Sequence, residues 1–167
     1  MKPVPSSWFW LAIALVSTAL VAGSFIMVAL LKLEPCPLCI AQRTLFMMMG
    51  ASGLVAFLAH RHVAGKIAGA LTLLSALAGA GLAGYQVWLQ HQPSARFTCA
   101  GGDPNVIERI VDWLGTLSPT LFLAPGVCQD TGLLILGYSL AAWALVAFSA
   151  SAVLGLWALL RRGGVRK

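Results

Sequence analysis

The sequence predicts an all-α fold: an integral membrane four-helix bundle with a short amphipathic helix in its second periplasmic loop. Three observations carry this. Of the 167 residues, 59% are hydrophobic and only 10% are charged, with a mean hydropathy of +0.87, whereas a soluble domain carries about 25% charged residues. Three long stretches have no charged residue and a fourth has a single arginine; a spanning helix needs about 20 apolar residues. The basic residues gather at the ends of these stretches and are shared unevenly between the two sides.

The elements follow in order, as one membrane domain over residues 1–167. Residues 8–31 are uncharged and form the first span. Lys2 precedes them, as in a cleavable signal peptide, but signal cores run to only about 15 residues. The second span covers about 39–59; Pro37 suits its first turn, where a missing N–H costs nothing. His60, Arg61, His62 and Lys66 mark a basic turn. Residues 67–90 form the third span and 132–160 the fourth, the latter long enough to tilt or to include an interfacial start. Ala19 and Gly23, then Ala76, Ala80 and Gly84, then Ala147, Ser151 and Gly155 recur at four-residue spacing. Such small faces let helix backbones approach closely in lipid, and ordinary bundle packing accounts for them.

Charge sets the orientation. With four spans, one side holds Lys2, Arg61, Lys66, Arg161, Arg162, Arg166 and Lys167, and no acid. The other holds Lys32, Arg43, Arg96 and Arg109 with Glu34, Asp103, Glu108, Asp112 and Asp130. Basic loops stay cytoplasmic, so both termini are expected inside. The loops 32–38 and 91–131, with all four cysteines, then face outward, which in a bacterium is the periplasm. The net charge of +6 is thus a membrane signature, and no nucleic-acid partner is expected. In the longer loop, Asp103 and Pro104 start a helix as cap and first residue. Val106, Ile107, Ile110, Val111, Trp113, Leu114 and Leu117 line one face, opposite Glu108, Arg109 and Asp112. This helix lies flat on the membrane or packs on the ends of the bundle.

The chemistry centres on Cys36-Pro37-Leu38-Cys39, with Arg43 four residues beyond. Positions i and i+4 share a helix face, and an arginine inside an apolar helix is costly and usually functional. A guanidinium and a helix N-terminus both favour thiolate over thiol. A lone C-x-x-C also suits zinc or a structural bridge. Zinc sites usually join two close pairs of Cys or His, but Cys99 and Cys128 are far apart and no histidine adjoins them. Haem attachment needs a histidine where Ile40 stands, so neither metal nor haem is expected. Cys99 and Cys128 could simply tether their loop, and four cysteines allow three pairings. Two dithiols on one membrane face suggest a relay by thiol–disulfide exchange. Without a dinucleotide fingerprint, the electron carrier should be small and hydrophobic, as a quinone is.

With these motifs together, the sequence resembles the DsbB family over nearly its whole length. The likeness rests on Cys36-x-x-Cys39-Ile40 with Arg43, Trp88-Leu89-Gln90 ahead of Pro93 and Cys99, Pro125-Gly126-Val127-Cys128, and Leu136-Gly137-Tyr138-Ser139-Leu140 leading to Trp143. The resemblance implies a four-helix inner-membrane oxidoreductase that reoxidises a periplasmic DsbA-like thiol oxidase and passes electrons to ubiquinone or menaquinone; the DsbA–DsbB–quinone system is itself the established means of keeping the bacterial periplasm oxidising. It implies redox pairs Cys36–Cys39 and Cys99–Cys128. Cys99 is similar to the cysteine attacked by the partner, Cys128 then attacks Cys36, and the freed Cys39 meets the quinone beside Arg43. Two positions near the expected quinone site depart from the family pattern. Gln86 stands where many members have histidine, and Gln42 where relatives can be acidic. Tolerated variation explains both; the sharper reading is an altered quinone preference or a paralogue with its own thiol partner. A vitamin K epoxide reductase-like enzyme would place its loop cysteines before the C-x-x-C, and here they follow. A non-enzymatic membrane protein with two structural disulfides is the other alternative.

Overall fold

The computed structural model describes residues 7–32, 34–91, 106–118, 122, 126 and 133–163. Helix α1 spans Ser7–Leu31, α2 Pro37–Leu58, α3 Val63–Gln90, α4 Val106–Leu117 and α5 Leu140–Gly163, with a two-stranded hairpin, β1 Leu134–Ile135 and β2 Tyr138–Ser139, leading into α5. The fold is all-α, and α1, α2, α3 and α5 are each long and apolar enough to cross a membrane. Helix α2 packs on α1 and α3, α3 also packs on α5, and α1 meets α5 over a smaller area. The chain runs up and down, so the end of α1, the start of α2, the end of α3 and the start of α5 share one end of the bundle.

Burial explains why this bundle suits lipid. On α1 only Trp10, Ile13, Ala14 and Ser17 are buried, while Leu15, Val16, Leu20, Ile26 and Leu30 face outward. Outside the bilayer such a surface would be an aggregation hazard. Hydroxyls are kept satisfied as lipid demands: Ser17 Oγ donates to the Ile13 carbonyl at 2.7 Å, and Thr72 Oγ1 to that of Ala68 at 2.9 Å. Exposed aromatics gather at both ends, Trp8 and Trp157 at one, Tyr85, Trp88, Tyr138 and Trp143 at the other. These are the places where amphipathic rings meet headgroups.

On α5 the four-residue pattern marks the packed face, with Ser151 and Gly155 buried and Gly155 against Trp10, but on α1 and α3 the close approaches fall mostly on other small residues. Gly23 has no neighbour within 4 Å of where a Cβ would stand, and Gly84 meets only Leu145, at 3.9 Å. The tight seam of α3 instead uses Gly69, Ala76, Gly79 and Ala83. Ala76 and Ala83 are fully buried, Gly69 takes the edge of Trp10, and Gly79 takes the ring of Phe148. That ring stacks on Phe46, with centroids 3.8 Å apart and planes 14° apart.

The fourth span begins later than residue 132. Leu136 and Gly137 both have positive φ, 55° and 82°, which is the turn type that matches hairpin twist. Leu134 pairs with Ser139 and Ile135 with Tyr138. Ser139 Oγ then accepts the Ala142 N–H at 3.4 Å, in the manner of a helix cap, and Trp143 Nε1 donates to the Ile135 carbonyl at 3.1 Å. An apolar run with no charge in it hides this break; the positive-φ glycine and the capping serine make it. Helix α4 packs on α2 with Val111 buried, yet Ile110, Trp113 and Leu117 are exposed. Asp103 and Pro104 lie outside the described residues.

A Cβ at Gly79 would overlap the Phe148 ring, which Phe46 holds in place, so Gly79→Ala should lower stability by about 1–3 kcal/mol. Gly81→Ala, with open space around it, should be neutral or slightly stabilising. Unfolding of both variants in mild detergent checks this, and equal stability would contradict the packing described.

Candidate functional site

The site is built where α2 begins. Cys36 is the cap residue, in extended conformation (φ −86°, ψ 165°), and Pro37 occupies the first turn. Cys36 Sγ accepts the Cys39 N–H at 3.4 Å, and the Ile40 N–H reaches the Cys36 carbonyl at 3.1 Å. A cap residue and the residue three positions on lie on the same side of a first turn, so C-x-x-C at this place brings its sulfurs together. They stand 3.1 Å apart as thiols. A disulfide bond is about 2.05 Å, so a shift of about one ångström closes the pair. Cys36 is only 3% exposed, within an apolar patch of Leu38, Leu89 and Leu82, while Cys39 is half-buried. The two sulfurs therefore differ in access: Cys39 is the more open.

Two buried glutamines and one buried arginine surround the dithiol. Gln86, from the last turns of α3, donates through Nε2 to Cys39 Sγ at 3.2 Å and Cys36 Sγ at 3.5 Å. Its Oε1 accepts from Gln42 Nε2 at 2.7 Å. Arg43 is 6% exposed. It donates from Nε and Nη2 to Ser24 Oγ, at 3.2 and 2.9 Å, and its guanidinium lies 4.4 Å from the Phe25 ring centroid. Held this way on α1, the cation stays inside the bundle. It remains within electrostatic reach of Cys39. Ser24 and Phe25 are absent from the sequence expectations: Ser24 sits beside Gly23 in an apolar run, with no local signal of its role. His91 is exposed, with Nδ1 2.7 Å from the Val87 carbonyl.

Cys99 and Cys128 lie outside the described residues. The loop that carries Cys128 nevertheless touches the site at one described point. The Gly126 N–H donates to the Pro35 carbonyl at 3.1 Å, and a Cβ at Gly126 would overlap the carbonyl of Glu34. Only glycine allows so close a pass beside the residues preceding Cys36. Among the described residues, no group of three His, Cys, Asp or Glu is placed to hold a metal ion.

A dithiol capping a membrane-spanning helix is the feature to compare with known proteins. The family model described as "Disulfide bond formation protein DsbB" matches residues 6–158. The chain belongs to the DsbB family. Its relatives include Disulfide bond formation protein B of Dechloromonas aromatica, 40% identical over 148 residues and 87% of each chain. That of Marinobacter nauticus is 36% identical over 158 residues, 94% of each chain. Disulfide bond formation protein B 2 of Burkholderia lata is 37% identical over 165 residues, 95% of this chain and 92% of its own. With four membrane-capable helices, this DsbB-family chain is a multi-pass inner-membrane protein of disulfide bond formation.

The Gly126 contact is testable by access to Cys36. Gly126→Ala forces the strand of chain off Glu34, so labelling of Cys36 by a small maleimide should rise several-fold, read by mass mapping. Gly115→Ala, whose Cβ would sit 3.6 Å from the Phe122 carbonyl, should leave the rate unchanged. An unchanged rate in Gly126→Ala would show that this contact does not shield the sulfur.

Proposed function

We propose that the chain is a quinone-dependent thiol–disulfide oxidoreductase of the bacterial inner membrane. It reoxidises a periplasmic DsbA-like thiol oxidase at Cys99 and Cys128 and delivers the electrons, through Cys36 and Cys39, to ubiquinone or menaquinone. The observation that carries this reading is the buried dithiol at the start of a membrane-spanning helix, with a buried arginine one turn further in. Such a pair is poorly placed for a soluble reductant and well placed for a lipid-soluble one. The termini are cytoplasmic and the cysteines periplasmic on this reading, as the basic asymmetry of the sequence supports.

The exchange steps assign a role to each cysteine. The partner's thiolate attacks Cys99, and Cys128 leaves as a thiolate. Cys128 then attacks Cys36, forming a bond between them and breaking the Cys36–Cys39 bond, whose electron pair stays on Cys39. The partner's second thiolate attacks the bond between its first cysteine and Cys99, which releases oxidised partner and a Cys99 thiolate. Cys99 then attacks Cys128, the Cys128–Cys36 bond breaks, and Cys36 and Cys39 are left reduced. The burial of Cys36 keeps solvent thiols away, and the Gly126 contact brings the Cys128 loop to the residue before it. A quinone, when bound, supplies a two-electron, two-proton acceptor that dissolves in lipid. The donor set fits it. Arg43 offers charged N–H groups from inside the bundle, and Cys39 is the sulfur with access. Arg43 would hold a quinone oxygen, while Ser24 and Phe25 hold Arg43. Gln42 and Gln86 border the same ground.

The electron order is tested by trapping. Cys36→Ala leaves the loop pair oxidised with no onward acceptor. A reduced DsbA-type protein that keeps only its attacking cysteine should then accumulate a mixed disulfide mapping to Cys99. An adduct at Cys39 or Cys128, or none at all while the loop pair is oxidised, contradicts the proposed order and favours structural disulfides.

A further inference from the structure

Gln86 and Gln42 are 3% and 5% exposed, on neighbouring membrane-spanning helices, and their bonds form one directed chain. Gln42 Nε2 donates to Gln86 Oε1 at 2.7 Å, and Gln86 Nε2 faces both sulfurs, at 3.2 and 3.5 Å. An amide has a donor end and an acceptor end. With its oxygen occupied by Gln42, Gln86 presents nitrogen to sulfur. The shorter distance goes to Cys39, which is the sulfur that leaves when Cys36 is attacked.

We propose that Gln86 is a catalytic hydrogen-bond donor to the Cys39 sulfur, and that Gln42 is the positioning residue that keeps the nitrogen of Gln86 turned toward it. The identity of the attacking thiolate rests on the function proposed above; the role of the amides does not. In the step concerned, an incoming thiolate forms a bond to Cys36 Sγ, the Cys36–Cys39 bond breaks, and the electron pair remains on Cys39 Sγ. The pair is reduced and the incoming dithiol is oxidised. Charge appears on Cys39 in a place poor in water, where a donor already aimed at it is worth more than in solution. Hydrogen bonds to charged groups are roughly twice as strong as neutral ones. An amide does not titrate, so this donor is available at every pH and adds no net charge to the bilayer. A pair of glutamines joining two helices could also serve as adhesive alone, and that role would affect stability without affecting the redox equilibrium of the sulfurs.

The test uses the full chain with Cys99→Ala and Cys128→Ala, so that Cys36 and Cys39 are the only thiols, equilibrated with reduced and oxidised glutathione in detergent. Gln86→Met keeps the length and removes the donor. It should shift the equilibrium about tenfold toward the disulfide, about 30 mV in a two-electron couple. Gln42→Met should shift it the same way by a smaller factor, about threefold, and should add nothing once Gln86 is methionine, because it acts only through Gln86. Gln86→His keeps an N–H donor and should restore most of the wild-type equilibrium. Should Gln86→Met fail to fold, Gln86→Asn draws the amide back by one methylene and reads the same shift. A folded Gln86→Met or Gln86→Asn variant with its equilibrium within twofold of wild type overturns the proposal, as does full additivity of the two methionine substitutions. The measurement involves neither quinone nor protein partner. Failure of the proposed function would therefore leave the shift in place, and failure of this inference would leave quinone coupling intact.

Discussion

Helix α2 starts on a sulfur where most helices start on an oxygen. The Cys39 N–H bonds to Cys36 Sγ, and the working end of the molecule follows from that cap. It turns the two thiols to one side and sets them 3.1 Å apart. It also puts Gln42 and Arg43 on the next turn, inside the bundle. Proline at the first helical position makes the cap compatible with an abrupt start. Had α2 begun one residue later, Cys36 would hang in the loop and the pair would lose its common face.

Polar groups in lipid must find partners within the protein, and here each choice of partner has a consequence. Arg43 could have run along its own helix to the headgroups, as long cationic side chains do near a membrane surface. In this structure Ser24 and Phe25 of α1 hold it within the bundle, one turn beyond Cys39. An arginine at mid-bilayer costs about 2.5–3.5 kcal/mol on insertion scales, and the position near the helix start makes the cost smaller. Gln86 and Gln42 satisfy one another and the sulfurs, which removes the penalty for two buried amides. The same contacts bind α1, α2 and α3 together at this end, whereas Phe46, Phe148 and the glycine seam of α3 bind the middle.

Much of this was legible in the sequence, for reasons that also explain the omissions. Long uncharged runs announce spanning helices because lipid tolerates little else, and α1, α2 and α3 follow those runs to within a few residues. The start of α5 was not visible, since Leu136, Gly137 and Ser139 break a helix by backbone conformation and capping while remaining as apolar or small as their neighbours. The C-x-x-C with Arg43 marked the site because helical spacing alone joins them. Ser24 lies 19 residues before Arg43, and Gln86 lies 44 after Gln42; no local period links residues on different helices. The likeness to the DsbB family placed Gln42 and Gln86 near a quinone, and the structure adds that both amides lead to the sulfurs. The small-residue pattern marks the packed face of α5, where Ser151 and Gly155 are buried, whereas on α3 it is Gly79 and Ala83 that join Ala76 in the tight seam and Gly84 that stays at its margin.

The central claim is that Cys36 and Cys39 alone form the exit for electrons into the membrane. Its most direct test is a single turnover in lipid nanodiscs. Protein carrying Cys99→Ala and Cys128→Ala is reduced, freed of reductant, and mixed with ubiquinone or menaquinone in the absence of any partner protein. Quinol is followed by absorbance and remaining thiols by mass labelling. The account predicts one quinol for each Cys36–Cys39 pair converted to the disulfide. Thiols that persist with no quinol formed, in protein shown to be folded, would contradict it.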